Sequence, residues 1–313
     1  MRVIRGIKDL NIKGPTVVTI GIFDGVHRGH QEILKELKKY SRIIKGKSCV
    51  ITFEPHPLKV LMPKESPPSV ISTAHKMRLL EAKGVDIAVI INFTKDFAQS
   101  PPLKFADKVL KRRLNTKLLL VGENFVLGKN RSGDVRHLKN IGRRLGFDVR
   151  SLKPLKSGTR IISSTLIRRL IMSGRLAEAK KILGRSVTVL GTVVKGEKRG
   201  REIGFPTANI DPHHEAMPPS GVYIVKAEFG GRSYQGVVNI GFRPTFHPHK
   251  KYAEPVIELH IFDFDKAIYG RDIEITFLKK VRNEKKFRDK HKLAGRVKRD
   301  MALAKRYFKN VGA

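Results

Sequence analysis

The chain has no tryptophan, one cysteine and few acidic residues, 28 against 64 lysines and arginines. A single cysteine cannot close an internal disulfide, which fits a reducing compartment. That residue, Cys49, stands in the apolar run SCVITF. No activating histidine or lysine pattern adjoins it, so it is assigned to the core rather than to chemistry. No apolar run approaches the roughly 20 residues that span a bilayer. The opening residues MRVIRGIKDL lack the apolar core and cleavage site of a signal peptide. The expectation is a cytoplasmic protein with no membrane partner.

What is abundant is positive charge. The formal net charge is +36 and the isoelectric point lies near 10.5, a balance that attracts polyanions at low salt. The basic residues run along the whole chain rather than forming one tail, and aromatics for stacking on bases are few. The charge is therefore read first as a general surface bias, then as suited to small phosphorylated substrates, and last as a nucleic-acid footprint. No specific nucleic-acid partner is expected. The 313 residues, 40% of them hydrophobic, favour two domains over one.

The rhythm of the chain changes midway. Apolar strand-like runs at residues 17–23, 49–53, 87–92 and 118–121, with a weaker one at 147–152, alternate with helical patterns at 30–40, 73–83, 103–114 and 135–145. Near-continuous apolar strands between helices predict a parallel sheet covered on both faces, a Rossmann-like α/β domain, with ligands beyond the carboxyl ends of the strands. After Gly184 come short β-type runs, SVTVLGTVV, GVYIVKAEF, RSYQGVVNIG, VIELHIFDF and DIEITFL, separated by Gly, Pro and Asp turns. These predict a small antiparallel β-barrel. A basic amphipathic helix from about residue 285 to 308 closes the chain. The domains are expected to be residues 1–183 and 184–313, without a low-complexity linker.

Two segments carry the first chemistry. TIGIFDGVHRGH, residues 19–30, takes an apolar strand through glycines and paired imidazoles into a helix. The plain reading is a glycine-shaped turn with incidental histidines. Two imidazoles at i and i+3 around Gly29 weaken it. Gly29 allows close approach of a nucleotide, and the helix N-terminus offers free N–H groups to phosphate. Imidazoles there can donate to charge that builds on an α-phosphate. A zinc site is the rival, but two ligands alone do not make one, and no nearby carboxylate or thiol completes it. IISSTLIRRL, residues 161–170, places Ser163, Ser164 and Thr165 before a helix. These hydroxyls can cap it or meet a polyphosphate, with Arg168 one turn on.

The second chemistry lies in GTVVKGEKRGREIGFPTANI, residues 191–210. Its glycines at 191, 196, 200 and 204 can be turns and bulges, or a loop that wraps phosphates with backbone N–H groups. The segment is not a P-loop, because the G-K-[ST] ending is absent. Thr207 and Asn209, two apart on an extended segment, share a side and offer oxygens that could hold Mg²⁺ and phosphates.

HxGH followed by ISSTxxR resembles the nucleotidylyltransferase superfamily. Together with TFEPHP (52–57) and VGENFVLGKNRSGD (121–134), it resembles the FAD synthetases, the bacterial bifunctional riboflavin kinase/FMN adenylyltransferases. PTAN resembles the riboflavin kinase hallmark, and GVY (221–223), NIGFRPTF (239–246), VIELHIFDF (256–264) and RNEKKF (282–287) follow in order. The resemblance implies phosphorylation of riboflavin to FMN by ATP, then adenylylation of FMN to FAD with release of pyrophosphate. Both steps would use Mg²⁺.

Carried onto this chain, the resemblance implies that His27 and His30 bind ATP phosphates and stabilise adenylyl transfer. Gly21, Phe23, Asp24 and Gly25 would shape the nucleotide pocket. Asn124 would lie at the flavin, and Ser163, Ser164, Thr165 and Arg168 would hold the leaving pyrophosphate. In the second half, Gly196, Gly200, Gly204, Thr207 and Asn209 would bind ATP and Mg²⁺, and Glu258 would be the general base. Family members often carry an aromatic where this chain has Leu127. The residues themselves leave open a nucleotidylyltransferase for another phosphorylated acceptor with a β domain that only binds, and a basic nucleic-acid-binding protein. They do not determine the oligomeric state.

Overall fold

The computed structural model describes residues 1–128, 132–196, 204–213, 216–243, 254–285 and 289–311. The chain folds as two compact units, Met1–Pro68 with Thr73–Ser164, and Ser69–Ser72 with Thr165–Ala313.

The first unit is built on six strands: β1 (Arg2–Arg5), β2 (Thr16–Ile20), β3 (Lys47–Glu54), β4 (Ile87–Asn92), β5 (Thr116–Gly122) and β6 (Asp148–Leu152). They lie in one sheet in the order β1-β4-β3-β2-β5-β6. Every neighbouring pair is parallel. The runs read as buried strands are buried along their length, β2 without exception. Such burial requires cover on both faces. Helix α1 (Arg28–Ile43) packs on β2, β3 and β5. Val18, Ile20, Cys49, Ile51 and Val89 join one core cluster with Leu138 and Ile141 of the helix Val135–Leu145. Cys49 is fully buried there, as assigned from the sequence. The pattern at 103–114 differs from expectation: four α-helical residues, Pro102–Phe105, lead into a wider-wound π segment, Ala106–Lys111. A short hairpin, β7 (Lys156–Ser157) with β8 (Arg160–Ile161), completes this unit.

The strand order reverses at β2. From β2 the chain winds outward through β3 and β4, then returns to lay β5 on the other side of β2. Crevices beyond the carboxyl ends of strands at such a reversal are where open α/β sheets bind ligands. The turn holding both histidines follows β2, and Asn124 follows β5.

The second unit holds β9 (Thr188–Val194), β10 (Ala208–Pro212), β11 (Gly221–Phe229), β12 (Arg232–Arg243), β13 (Glu254–Ile261) and β14 (Asp272–Arg282). These close into a barrel in the order β10-β13-β12-β11-β14-β9. All barrel pairs are antiparallel. Closure leaves no free edge. The last helix, Lys290–Val311, starts five residues later than the sequence pattern suggested. Its Ala304 and Phe308 pack on Val222, Ile224 and Phe262 of the barrel side. Its buried Asp300 takes the Arg282 Nε–H at 2.8 Å.

Candidate functional site

In the first unit the turn after β2 runs through left-handed backbone: φ is 52° at Phe23, 84° at Gly25 and 40° at Val26. Glycine adopts this freely; for a β-branched valine it is strained. Val26 is held there because its side chain is buried. Gln31 Nε2 also grips its carbonyl at 2.9 Å. Strain of this kind persists where surrounding packing over-determines it, commonly at functional sites.

His27 caps α1, a position more often taken by Ser, Thr or Asp. Its Nδ1 accepts the backbone N–H of His30 at 3.3 Å. In the neutral ring that places the proton on Nε2, which becomes a donor. The two imidazoles stack at 3.6 Å with an interplanar angle of 16°, and Phe23 packs against His30 at 4.9 Å. A Cβ on Gly29 would lie 3.2 Å from the His27 ring, tighter than ordinary contact, so the glycine allows the stack. Gly21 abuts the Phe23 ring in the same way. His30 Nδ1 is buried and has no hydrogen-bond partner among the described residues. Burial first, then His27 and Lys76, hold the His30 imidazole well below its ordinary pKa.

The two predicted motifs meet. After the hairpin β7–β8, Ser163 precedes the helix Ser164–Met172. The Ser164 hydroxyl donates to the Asp24 carbonyl at 2.7 Å. Asp24 itself is buried. The division between the units falls directly after Ser164, so Thr165 and Arg168 belong to the second unit. Thr165 is exposed and Arg168 is buried one turn on. Asn124 is exposed in the turn after β5. Leu127, where members of the resembled family often carry an aromatic, is buried in the sheet's core cluster and bridges to Gly133.

Lys76 was not among the residues expected at this site. It lies on the helix Thr73–Ala82, buried, with its ammonium 3.2 Å from Thr52 Oγ1. Its signal was a lysine four residues before Leu80, which puts it on that helix's buried face.

In the barrel, register brings distant residues together. Glu258 of β13 lies opposite Asn209 of β10 on one side and Asn239 of β12 on the other. Directly opposed residues share a face. Ile210, Ile257 and Ile240 form the neighbouring row and are buried. Asn209, Glu258 and Asn239 are partly exposed. Glu258 thus stands on the face away from the apolar row. Asn239 belongs to the NIGFRPTF motif, but no local pattern aligns it with Glu258.

Gly196 is pressed against this row. A Cβ there would fall 2.0 Å from Asn209 Nδ2. His260 Nδ1 bonds the Pro206 carbonyl at 2.8 Å, fastening the PTAN segment to β13. Since a carbonyl only accepts, Nδ1 carries the proton. Gly204 and Thr207 line a cavity of about 560 Å³ with Leu259, Ile261, Lys266 and Tyr269. Asn209 and Glu258 are outside that lining. Gly200 lies outside the described residues. His213, just after β10, bonds Thr192 Oγ1 at 2.7 Å. Among the described residues no cluster of three or more His, Cys, Asp or Glu side chains could hold a metal, and no helix is long and apolar enough to cross a membrane.

The FAD synthetase family model matches residues 9–166 and the riboflavin kinase model residues 183–308. The bifunctional riboflavin kinase/FMN adenylyltransferase of Buchnera aphidicola subsp. Schizaphis graminum is 36% identical, over 98% of this chain and 99% of its own length. The enzyme of the same name from Escherichia coli K12 is also 36% identical, over 98% of both chains. A crystal structure described as a macrolide-efflux protein from Streptococcus pneumoniae aligns with a TM-score of 0.82 at 30% identity, over 97% of this chain and 99% of that one. With two unlike motif sets in a parallel α/β unit and a closed barrel, and relatives of one name spanning the full length, the chain belongs to the bifunctional riboflavin kinase/FMN adenylyltransferases, transferases that use ATP to turn riboflavin into FMN and FMN into FAD.

Proposed function

We propose that the two reactions use two separate sets of residues. At the turn after β2, FMN supplies a phosphate oxygen that attacks the α-phosphorus of ATP, and pyrophosphate leaves. His27 and His30 donate to the α-phosphate as charge builds there. Phe23, Asp24 and the glycines at 21 and 25 shape the nucleotide pocket, and Asn124 lies towards the flavin. Ser163, Ser164, Thr165 and Arg168 receive the pyrophosphate. No proton need move, because the attacking group is already an anion.

In the barrel the riboflavin 5′-hydroxyl attacks the γ-phosphorus, Glu258 takes its proton, and ADP leaves. Gly196, Gly200 and Gly204 shape the phosphate loop. The Thr207 hydroxyl and Asn209 amide are hard oxygen donors that fit Mg²⁺. The fit rests on Gly196, whose missing side chain leaves its backbone close against the Asn209 amide. Bound there, Mg²⁺ would neutralise phosphate charge.

The observation that carries this division is the row Asn209–Glu258–Asn239, a carboxylate flanked by two amides, next to the Thr207 segment and lying wholly within the second unit. The functional boundary is proposed at 183/184, so a fragment of residues 184–313 would make FMN and no FAD. The dispersed basic charge and the lack of tryptophan support small phosphorylated substrates over a specific nucleic acid. The lone buried thiol of Cys49 fits a reducing, cytoplasmic setting.

The direct test incubates the full chain with riboflavin, ATP and Mg²⁺ and resolves FMN and FAD over time, for the wild type, His30→Ala and Glu258→Gln. Separate sites require that His30→Ala accumulates FMN, whereas Glu258→Gln makes FAD only from supplied FMN. Failure of a well-folded His30→Ala to make FMN, or of a well-folded Glu258→Gln to make FAD from supplied FMN, would overturn the division.

A further inference from the structure

Lys76 is 4% exposed, in a protein with ample surface for its lysines. Burying an ammonium is costly unless it is paired and hydrogen-bonded. One of its three donors goes to Thr52 Oγ1 at 3.2 Å. The Thr52 hydroxyl in turn donates to the Ile22 carbonyl at 3.1 Å, one residue before Phe23. A short chain of contacts therefore links the ammonium to the turn that carries the histidines. Asp24 and Glu54 are the carboxylates that favour its charge, and Glu54 is also paired with Arg5 at 3.0 Å. His30 is acted on by His27 from its own turn and by Lys76 from the neighbouring helix.

We propose that Lys76 is a positioning residue for adenylyl transfer, a buried ammonium that sets the charge of the turn bearing His27 and His30. The proposal rests on reading that turn as the adenylyltransferase centre. Asp24 is buried within the turn, and its negative charge would oppose an incoming triphosphate. Lys76 offsets that charge from behind the turn. The same cation disfavours protonation of His30, so the imidazole stays neutral while its Nδ1 remains buried.

Burial pushes the Lys76 ammonium down to about 8, against the pull of Asp24 and Glu54. The compensation is present below that pH and fades above it. The test follows FAD formation from FMN and ATP in the full-length protein between about pH 6 and pH 9.5, with riboflavin phosphorylation and melting temperature recorded on the same samples. Wild type should lose kcat/KM for ATP through an alkaline limb near pH 8. Lys76→Met should lower neutral-pH kcat/KM by about tenfold or more. It should also abolish the alkaline limb and move the acid limb, set by His30, to higher pH. Lys76→Arg, whose charge persists throughout the range, should keep activity and lose only the alkaline limb.

A Lys76→Met profile that matches wild type in shape and within about twofold in kcat/KM would overturn the proposal, since loss of a nearby charge should cost more. If Lys76→Met fails to fold, Lys76→Arg decides: a limb that stays near pH 8 is then not the lysine's. His30→Ala run alongside separates the two readings. Unchanged FAD formation there removes the turn from the chemistry, whatever Lys76 does.

Discussion

The Ser164 hydroxyl donates a 2.7 Å hydrogen bond to the carbonyl of Asp24, across 140 residues of chain. The bond joins Ser164 to the turn after β2 within the first unit. It fixes where the Ser164 hydroxyl stands relative to a turn already strained at Phe23 and Val26. Ser164→Ala removes the donor. A single hydrogen bond contributes about 0.5–1.5 kcal/mol, so FAD formation from FMN should fall about three- to tenfold. Riboflavin phosphorylation should stay at the wild-type rate. Steady-state kinetics on each half-reaction checks this, and an equal drop in both would point to general destabilisation.

His30 supplies one of two stacked imidazoles and packs against Phe23. His30→Ala is expected to lower FAD formation about 10²-fold or more, the scale of losing one transition-state donor. FMN formation is spared. Chromatography of products from supplied FMN measures the effect, and wild-type rates would remove His30 from the mechanism.

Gly196 tests the other site through its backbone. An alanine Cβ would meet the Asn209 amide at 2.0 Å. That amide is the end of a side chain, so it will rotate before the strands shift. Gly196→Ala should therefore leave the melting temperature near wild type and cut riboflavin phosphorylation by about tenfold or more, the effect of misplacing one preorganised group. FMN adenylylation is unaffected. A variant with full kinase activity would show that the position of Asn209 is not critical.

Glu258→Gln keeps shape and hydrogen-bonding reach but cannot accept a proton. Riboflavin phosphorylation should drop by about 10²- to 10⁴-fold, the usual contribution of positioned proton transfer. Conversion of FMN to FAD and thermal stability are expected to hold. Kinase activity within about twofold of wild type would rule the carboxylate out as base. A joint collapse of both activities and of stability would mark it as structural.

The sequence by itself determined most of the elements and the local motifs. Ile87–Asn92 and Gly221–Phe229 were readable to the residue because an apolar strand announces itself through its own neighbours. The HxGH turn was readable for the same reason: the cap, Gly29 and both imidazoles lie within four consecutive residues. Tertiary structure decided which of these segments meet. β1, a four-residue edge strand carrying two arginines, has too little apolar pattern to be seen alone and forms by pairing with β4. Lys76 reads as an ordinary helix lysine until the helix docks and turns it towards Thr52. Asn239 became a neighbour of Glu258 only through barrel register, where a one-residue slip would have sent its side chain to the other face. Local periodicity is set by backbone geometry within a few residues. Register and docking are set by which apolar faces can be buried together, a property of the whole chain.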